Sequence, residues 1–302
     1  MQKTILITGG AGFIGSRLTQ TLLDKGHSVI VCDIVAPKFQ HERLSFLNID
    51  VSKDSLPTTY DGIVTGIIHL AGKTIFGRWT ESFKKAIYDS RIDSTQNIVN
   101  SIGEWQHKPE VFVCASAFGF YGDKGDEVVT EATSAGTDFL ASVCEDWEIE
   151  AQKAETFGVR SVQIRTALVL GNKGLLAPLF VPFKFGLGAW IGSGRAWFPW
   201  IHVDDIVGIY VFVLETDSVT GPINTSAPEA IRQKQFMQIF GEVMHRRVLF
   251  SIPIFMLRLK YGDLAETFNN SAKISSDKIQ RLGYVFKYPS VKEALLNVVN
   301  KK

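Results

Sequence analysis

One N-terminal segment constrains this chain more than any other, residues 4–15 with the sequence TILITGGAGFIG. A short apolar run leads directly into glycines at positions 9, 12 and 15, and apolar residues at helical spacing follow. This order of strand, glycine turn and helix start is typical of a dinucleotide-binding βα unit. We therefore predict that the phosphates of a cofactor lie on the helix N-terminus, against Gly9, Gly12, Phe13, Ile14 and Gly15.

Two acidic residues further along the chain fit the same pattern. Asp33 follows a second predicted strand and lies 18 residues past Gly15, about where a carboxylate meets the adenosine ribose hydroxyls. Asp50 and Val51 close a third predicted strand, where an acid could face the adenine. For both acids the alternative, a solvated turn residue, stays open.

A short apolar strand over residues 66–72 ends in small side chains. In a parallel sheet the carboxyl end of such a strand faces the cofactor. We therefore predict that Leu70, Ala71 and Gly72 also contact the dinucleotide.

Beyond these motifs, strands and helices alternate. We predict that Thr80 caps a helix ending near Gly103, followed by a strand at 110–115, a helix at 139–156 and a strand at 158–165. This alternation predicts an α/β fold, in which a doubly wound parallel Rossmann sheet carries a smaller C-terminal substrate lobe.

The chain changes character after Gly171, because the next thirty or so residues combine prolines, glycines and tryptophans without a clean period. Asp204 and Asp205 then open an apolar helix, and acids suit a helix N-terminus. We predict four parts in order, namely a NAD(P)-binding Rossmann domain, a substrate-lobe insertion, a return to the Rossmann core and a C-terminal lobe, at residues 1–171, 172–202, 203–226 and 227–302.

Charge and cysteine content exclude several classes of protein. With 32 basic and 31 acidic residues the net charge is +1, which would not steer the chain to nucleic acid or to an anionic membrane. The separated Cys32, Cys114 and Cys144 argue against a disulfide framework, and the scattered histidines give no metal-ligand spacing. The first strand begins too early for a signal peptide, and no apolar run reaches the roughly 20 residues of a membrane span. We therefore expect a cytoplasmic protein that binds no metal and crosses no membrane.

Several motifs carry a resemblance to a known family. The glycine motif, together with HLAG at 69–72, SAFGFYG at 116–122 and WIHVDD at 200–205, resembles the extended short-chain dehydrogenase/reductase superfamily, which includes sugar-nucleotide epimerases and dehydratases. An atypical epimerase-like branch of largely unknown function, some of whose members are labelled SulA-type, is similar at further motifs: GRW at 77–79, SR at 90–91, WE at 147–148, RTALVLG at 165–171 and GSG at 192–194. The resemblance runs over essentially the whole chain.

This resemblance implies a Tyr-x-x-x-Lys pair on the helix after residues 116–122, in which the Lys lowers the pKa of a Tyr that serves as acid and base. Here the Tyr position falls on Phe139 or Leu140, and the Lys position falls on Val143 or Cys144. None of these side chains can do that work. We therefore expect the standard mechanism to be absent.

Other side chains could substitute for the missing pair. The usual catalytic Ser or Thr falls on Ala117, but Ser116 is adjacent and Tyr121 lies on the same loop. We predict Tyr121, Ser116 and Arg78 as catalytic candidates, and the alternative for Tyr121 is a packing or hydrogen-bonding role. Arg78 could clamp a phosphate or a carboxylate, or it could pair with an acid such as Glu81.

Arg91, Arg195 and His202 lie on segments expected to border the cleft, and we predict that they bind substrate. The two arginines favour an anionic small molecule, although each could pair with a nearby acid such as Asp89 or Asp205.

Together these features predict a NAD(P)-binding epimerase-like or oxidoreductase-like protein, with a small anionic or sugar-nucleotide-like ligand. Because Asp33 would repel a 2′-phosphate, we expect NAD in preference to NADP, and the nearby Lys38 leaves NADP open. The alternative is a catalytically silent sensor that binds the dinucleotide and signals through a partner. An RNA-binding relative is disfavoured by the absence of a basic stripe. The oligomeric state is left open.

Overall fold

The computed structural model describes residues 2–301. The strands are β1 Thr4–Thr8, β2 Ser28–Asp33, β3 Leu44–Asn48, β4 Gly66–His69, β5 Val111–Ala117, β6 Val128–Val129, β7 Arg160–Thr166, β8 Leu168–Leu170, β9 Ala189–Ile191, β10 Trp200–His202, β11 Gly221–Thr225, β12 Phe250–Ile252 and β13 Lys273–Ile274. The helices are α1 Phe13–Asp24, α2 Glu81–Glu104, α3 Phe139–Gln152, α4 Ala177–Lys184, α5 Val203–Glu215, α6 Gln233–Val243, α7 Ile254–Tyr261, α8 Leu264–Thr267, α9 Asp277–Arg281 and α10 Val291–Asn300.

A seven-stranded parallel sheet forms the centre, with the strand order β11-β7-β5-β4-β1-β2-β3. The chain builds outward from β1 to β3 on one side, then returns to β4 and builds outward on the other side. The strand order therefore reverses between β1 and β4, and a crevice opens at their carboxyl ends. The predicted α/β class and doubly wound parallel sheet are confirmed.

Both faces of the sheet are covered by helices, as the nearly continuous apolar strands require. One face packs on α1 and α5, through side chains such as Leu18, Leu22 and Ile206. The other face packs on α2 and α3, through side chains such as Ile98 and Trp147. A separate cluster joins α4, α6 and α10 into the core of the C-terminal part.

Most predicted elements are present, with shifted ends. The Thr80 hydroxyl accepts from the Phe83 amide and caps α2, as predicted. The third strand ends at Asn48, so the prediction that Asp50 and Val51 close this strand was wrong. A tight turn follows instead, because the Asp50 carboxylate accepts from the Ser52 amide. No helix within residues 2–301 is long and apolar enough to cross a lipid bilayer.

Residues 254–267 form two consecutive helices. Gly262 has a φ of 62°, a left-handed conformation that ends α7 before α8 begins. The three cysteines are buried and free, in agreement with the expectation of no disulfide framework.

Asp205 ties the C-terminal segment to the Rossmann core. Its side chain is fully buried at the start of α5. One carboxylate oxygen accepts from the Lys287 amide at 2.7 Å, and the other accepts from the Tyr288 amide at 3.0 Å. The Tyr284 hydroxyl adds a further hydrogen bond. The acid predicted to favour the helix dipole therefore also anchors a distant stretch of backbone.

We expect Asp205→Asn to lower the free energy of unfolding by about 2 kcal/mol, because one backbone amide would then face an amide group rather than an oxygen. Chemical denaturation would measure this. The matched control is Asp204→Asn, since Asp204 is partly exposed and makes surface ion pairs with Arg17 and Lys301. We expect a loss below about 1 kcal/mol there. Equal losses for the two variants would contradict the anchoring role.

Candidate functional site

The candidate site lies where β1 and β4 end side by side. An ideal Cβ placed on Gly9 would lie 2.8 Å from the Ala71 amide nitrogen and 2.8 Å from the Leu70 carbonyl carbon. Gly9 also has a φ of 69°. No side chain is tolerated at this position, so the glycine loop and residues 70–72 can approach one another directly. The structure thus brings together two segments that the sequence assigned separately to a cofactor.

The glycine loop has the form that a pyrophosphate requires. An ideal Cβ on Gly15 would lie 2.3 Å from the Gly9 carbonyl oxygen, so Gly15 permits the tight junction between loop and helix. Gly12 occupies the N-cap position of α1, and the helix begins without a side-chain cap and without an acid in its first turn. Free amide groups and the positive end of the helix dipole are thus left for an anion, next to Phe13 and Ile14. These residues fit a dinucleotide.

Asp33 lies at the glycine loop, whereas Asp50 is engaged in its own turn. One Asp33 oxygen accepts from the Ala11 amide at 3.0 Å, and the other accepts from the Val35 amide at 3.1 Å. Asp50 pairs with Lys53 at 2.9 Å, and hydrogen bonds from Ser52 and Lys53 lower its pKa. Val51 beside it is buried. The geometry therefore favours a ribose-facing role for Asp33 more strongly than an adenine-facing role for Asp50.

A buried histidine links the two strand ends. His69 Nδ1 lies 2.6 Å from Thr8 Oγ1, and Nε2 lies 3.0 Å from Ser94 Oγ on α2. Burial lowers the pKa of His69 to about 3, so the ring is neutral. Because the Ser94 hydroxyl donates to the Ser90 carbonyl, the bonding pattern assigns the ring proton to Nε2. Thr8, His69 and Ser94 thus connect the ends of β1 and β4 to α2, a role that the sequence did not indicate.

Two of the catalytic candidates, Tyr121 and Ser116, lie in a buried network. The Tyr121 hydroxyl donates to Asn224 Oδ1 at 2.7 Å and accepts from Arg165 Nη1 at 2.8 Å. The Ser116 hydroxyl donates to Glu148 Oε1 at 2.6 Å. Burial raises the pKa of Tyr121 to about 12, which makes its proton hard to release at neutral pH. These contacts favour the hydrogen-bonding role for Tyr121 over the catalytic one.

The centre of that network is an ion pair between α3 and β7. Glu148 and Arg165 are each only 4% exposed, and they form two hydrogen bonds of 2.8 Å each. The Arg165 guanidinium also stacks 3.5 Å from the centre of the Phe120 ring. Sequence reasoning assigned no role to either residue. The sequence features that could have indicated the pair are the basic Arg165 on an apolar strand and the acidic Glu148 on a neighbouring helix.

An apolar cluster occupies the positions at which the family resemblance implies a Tyr-x-x-x-Lys pair. We call it the Trp79 cluster, and its members are Ile75, Trp79, Phe83, Ile87, Tyr88, Phe139, Leu140, Val143, Tyr261, Leu264 and Phe268. The Trp79 and Phe139 rings meet edge to face, with centroids 5.3 Å apart. Val143 is 2% exposed, and burial raises the pKa of Cys144 to about 12. Near neutral pH, no side chain at positions 139, 140, 143 and 144 can exchange a proton with a ligand.

Arg91 lies beside Gly72, shortly after the carboxyl end of β4. Its Nη1 donates to the Lys73 and Ile87 carbonyls, both at 3.0 Å, and its guanidinium lies 5.1 Å from the Trp147 ring. An ideal Cβ on Gly72 would come within 3.5 Å of its Cζ. Burial lowers the pKa of Arg91, because no carboxylate offsets its desolvation.

Arg78 and Arg195 are exposed. Within residues 2–301, neither they nor Arg91 forms an ion pair with an acid. The acids that could have neutralised them have other partners: Glu81 pairs with Lys84, Asp89 pairs with Lys85, and Asp205 accepts from backbone amides. The local-pairing alternative is therefore not realised.

His202 is a structural residue in this geometry. It is 1% exposed, its Nδ1 accepts from the Asp204 amide, and it thereby caps α5. Its ring lies 3.9 Å from that of Tyr288, and burial lowers its pKa to about 4. A neutral, enclosed ring that caps a helix gives little support to the predicted contact with substrate.

We expect Glu148→Gln to lower the free energy of unfolding by about 3–5 kcal/mol, because the substitution leaves the buried Arg165 without a counter-charge. Denaturant unfolding would measure the loss. The control is Glu145→Gln on the exposed side of the same helix, with an expected change within about 0.5 kcal/mol. A loss below about 1 kcal/mol for Glu148→Gln would show that the ion pair does not hold the network.

Comparisons with known proteins agree with this geometry. The NAD dependent epimerase/dehydratase family matches residues 5–224, and a domain of unknown function, DUF1731, matches residues 252–298. An epimerase family protein of Staphylococcus haemolyticus is 34% identical over 300 residues, which cover 99% of each chain. Epimerase family protein YfhF of Bacillus subtilis is 33% identical and covers 98% of this chain and 97% of its own.

A solved structure is similar over the same length. The crystal structure of human epimerase family protein SDR39U1 with NADPH superposes with a TM-score of 0.88 at 28% identity, and the match covers 99% of this chain and 100% of the human one. The family match confirms the predicted family and the predicted class of cofactor, a nicotinamide dinucleotide. Since that match spans most of the chain and relatives above 30% identity align from end to end, the chain belongs to the NAD dependent epimerase/dehydratase family.

Proposed function

We propose that this protein binds NAD in preference to NADP, together with a small anionic ligand, and that it lacks the chemistry of a Tyr-x-x-x-Lys pair. The observation that carries the proposal is a juxtaposition at one edge of the sheet. Residues 70–72 lie against the glycine loop, and the connection that follows them contributes Ile75 and Trp79 to the Trp79 cluster, so a dinucleotide site is kept while the acid/base place is apolar.

The chain's own residues divide the work of binding. The N-terminus of α1 attracts the phosphates, and the absence of side chains at Gly9 and Gly12 lets them approach. The Ala11 amide holds the Asp33 carboxylate at the loop, where it can accept from ribose hydroxyls. When bound, the dinucleotide supplies a hydride donor and acceptor.

The anionic character of the second ligand rests on Arg78, Arg91 and Arg195. Since their neighbouring acids are engaged elsewhere, the positive charges are available to a carboxylate or phosphate. Arg91 is the best placed, because it touches Gly72 at the cofactor edge. A sugar-nucleotide-like molecule carries such charges.

The cofactor preference follows from the charge of Asp33. A carboxylate about 4 Å from a 2′-phosphate costs about 4 kcal/mol at an effective dielectric constant of 20, and a third of that is still about tenfold in affinity. We expect calorimetric titration to show tighter binding of NAD than of NADP. The human relative was solved with NADPH, so the two cofactors must be compared directly.

The matched variants are Asp33→Asn and Asp50→Asn. Asp33→Asn keeps an acceptor for the Ala11 amide but removes the charge, so we expect NADP affinity to rise about tenfold. Asp50→Asn removes a charge that Lys53 already offsets, so the ratio of the two affinities should stay the same. Tighter NADP binding by the unaltered protein would overturn the preference.

The missing acid/base pair predicts weak or absent turnover. General acid/base help is worth about 10²- to 10⁴-fold, and Phe139, Leu140, Val143 and Cys144 supply none. We expect protein that binds NAD to show no measurable epimerisation or oxidation of common UDP-sugars. Robust turnover, on the order of 1 s⁻¹ or faster, would contradict this expectation.

The same observation supports a second candidate, a silent dinucleotide sensor. The two candidates differ in their response to an anionic substrate. If an anionic substrate is turned over, Arg78→Gln should lower kcat/KM about tenfold, because Arg78 is the exposed catalytic candidate. Arg43→Gln, whose guanidinium donates to the Leu23 carbonyl away from the glycine loop, is the control. NAD binding without turnover of any substrate favours the sensor.

A further inference from the structure

An exposed surface of the C-terminal part combines apolar and basic side chains. We call it the apolar-basic surface and define it by residues 181–187 and 246–260. Seven of its large apolar side chains are each more than 60% exposed, namely Val181, Phe185, Leu187, Leu249, Phe250, Phe255 and Leu259. Soluble monomers rarely expose so many large apolar groups together, so this concentration indicates a contact surface.

Specific contacts join the two segments into one surface. β9 and β12 pair in parallel, so the strand that follows residues 181–187 lies against the strand that carries Phe250. Arg246 Nε donates to the Lys184 carbonyl at 3.0 Å. An ideal Cβ on Gly192 would lie 3.4 Å from Ile254 Cδ1 at the start of α7. The helix, the strand pair and the 184–187 turn are therefore neighbours.

α7 presents an apolar stripe to solvent. None of its eight residues is buried, although Ile254, Leu257 and Tyr261 face the protein. Phe255 and Leu259 lie one turn apart on the opposite side, and Met256 lies beside them. Arg258 and Lys260 lie about 100° to either side of Leu259 around the helix axis. The exposed face of α7 therefore combines large apolar side chains with a basic residue on each flank.

Acidic residues are absent from both segments. The sequence contains no Asp or Glu at positions 156–203 or 243–262, while Lys184, Arg246, Arg247, Arg258 and Lys260 are exposed there. Of these five, within the part of the chain that the structure describes, only Arg258 pairs with an acid, the exposed Glu266 at 3.5 Å. The net charge of +1 thus hides a strongly uneven distribution.

We propose that the apolar-basic surface docks on an anionic lipid bilayer, with Phe185, Leu187, Leu249, Phe250, Phe255 and Leu259 inserted between the headgroups and the basic residues against their phosphates. The uneven charge favours this occupant over a second copy, because an isologous contact would bring like charges together. Docking here departs from the expectation drawn from net charge alone, which indicated no attraction to an anionic membrane.

This surface shares no residue with the glycine loop, and it borders the candidate cleft. α7 ends at Tyr261, whose carbonyl accepts from the Trp79 amide at 3.2 Å, and Gly262 packs on Arg78. Docking would therefore hold the Arg78 segment near the membrane.

The test is flotation of the full chain with vesicles of equal parts phosphatidylglycerol and phosphatidylcholine, beside vesicles of phosphatidylcholine alone. We expect binding to the anionic vesicles that weakens as salt is raised. Phe255→Ser/Leu259→Ser should lower the partition coefficient at least tenfold, because it removes two large apolar groups. Arg247→Gln/Lys260→Gln should lower it about fivefold per charge.

The matched control is Ile63→Ser/Val285→Ser, which removes two exposed apolar side chains outside the surface and should leave vesicle binding unchanged. NAD titration of every variant checks that the fold and the cofactor site are intact. No binding to anionic vesicles at low salt, or equal binding by Phe255→Ser/Leu259→Ser, overturns the proposal. A dimer in sedimentation that this double variant dissociates, with no vesicle binding, would assign the surface to self-association instead.

Discussion

The close approach of β1 and β4 is the constraint on which the rest of the structure depends. It places the glycine loop against residues 70–72. This contact of the loop is possible only because Gly9 has no side chain. The buried Thr8, His69 and Ser94 bonds then fix both strand ends to α2. Strand order, crevice and anion-binding helix terminus follow from this junction, since the sheet extends in opposite directions on its two sides.

A second constraint is the buried Glu148–Arg165 pair. Two desolvated charges at the end of a parallel sheet are stable only with matched geometry and with further hydrogen bonds to the remaining polar atoms. Ser116 and Tyr121 supply part of those bonds, and Asn224 in turn accepts from the Tyr121 hydroxyl. The same residues that suggest catalysis in the sequence are thus occupied in holding β5, β7, β11 and α3 together, and the Trp79 cluster packs beside them.

How much of the site could be predicted depended on the range of the interactions. The glycine turn, the Thr80 cap and the placement of Asp33 are local features, because backbone geometry and short spacings determine them. The roles of Glu148, Arg165 and His69 were not predicted, since their partners lie 17 to 61 residues away in the chain. For Asp50, spacing along the sequence assigned the carboxylate to the adenine, whereas in the structure it accepts a hydrogen bond from the Ser52 amide two residues further on.

The sequence by itself determined the fold class and the family, because residue identity at short spacing carries both of them. From the same kind of information it predicted a phosphate-binding turn and the absence of a Tyr-x-x-x-Lys pair. Only the tertiary structure decided which polar groups are enclosed and which stay free. Tyr121, Ser116 and His202 are buried and hydrogen-bonded, while Arg78, Arg91 and Arg195 form no ion pair with an acid within residues 2–301. It also gathered the acid-free segments around α7 into one surface. Desolvation and long-range pairing set these outcomes, and both depend on which segments the fold brings into contact.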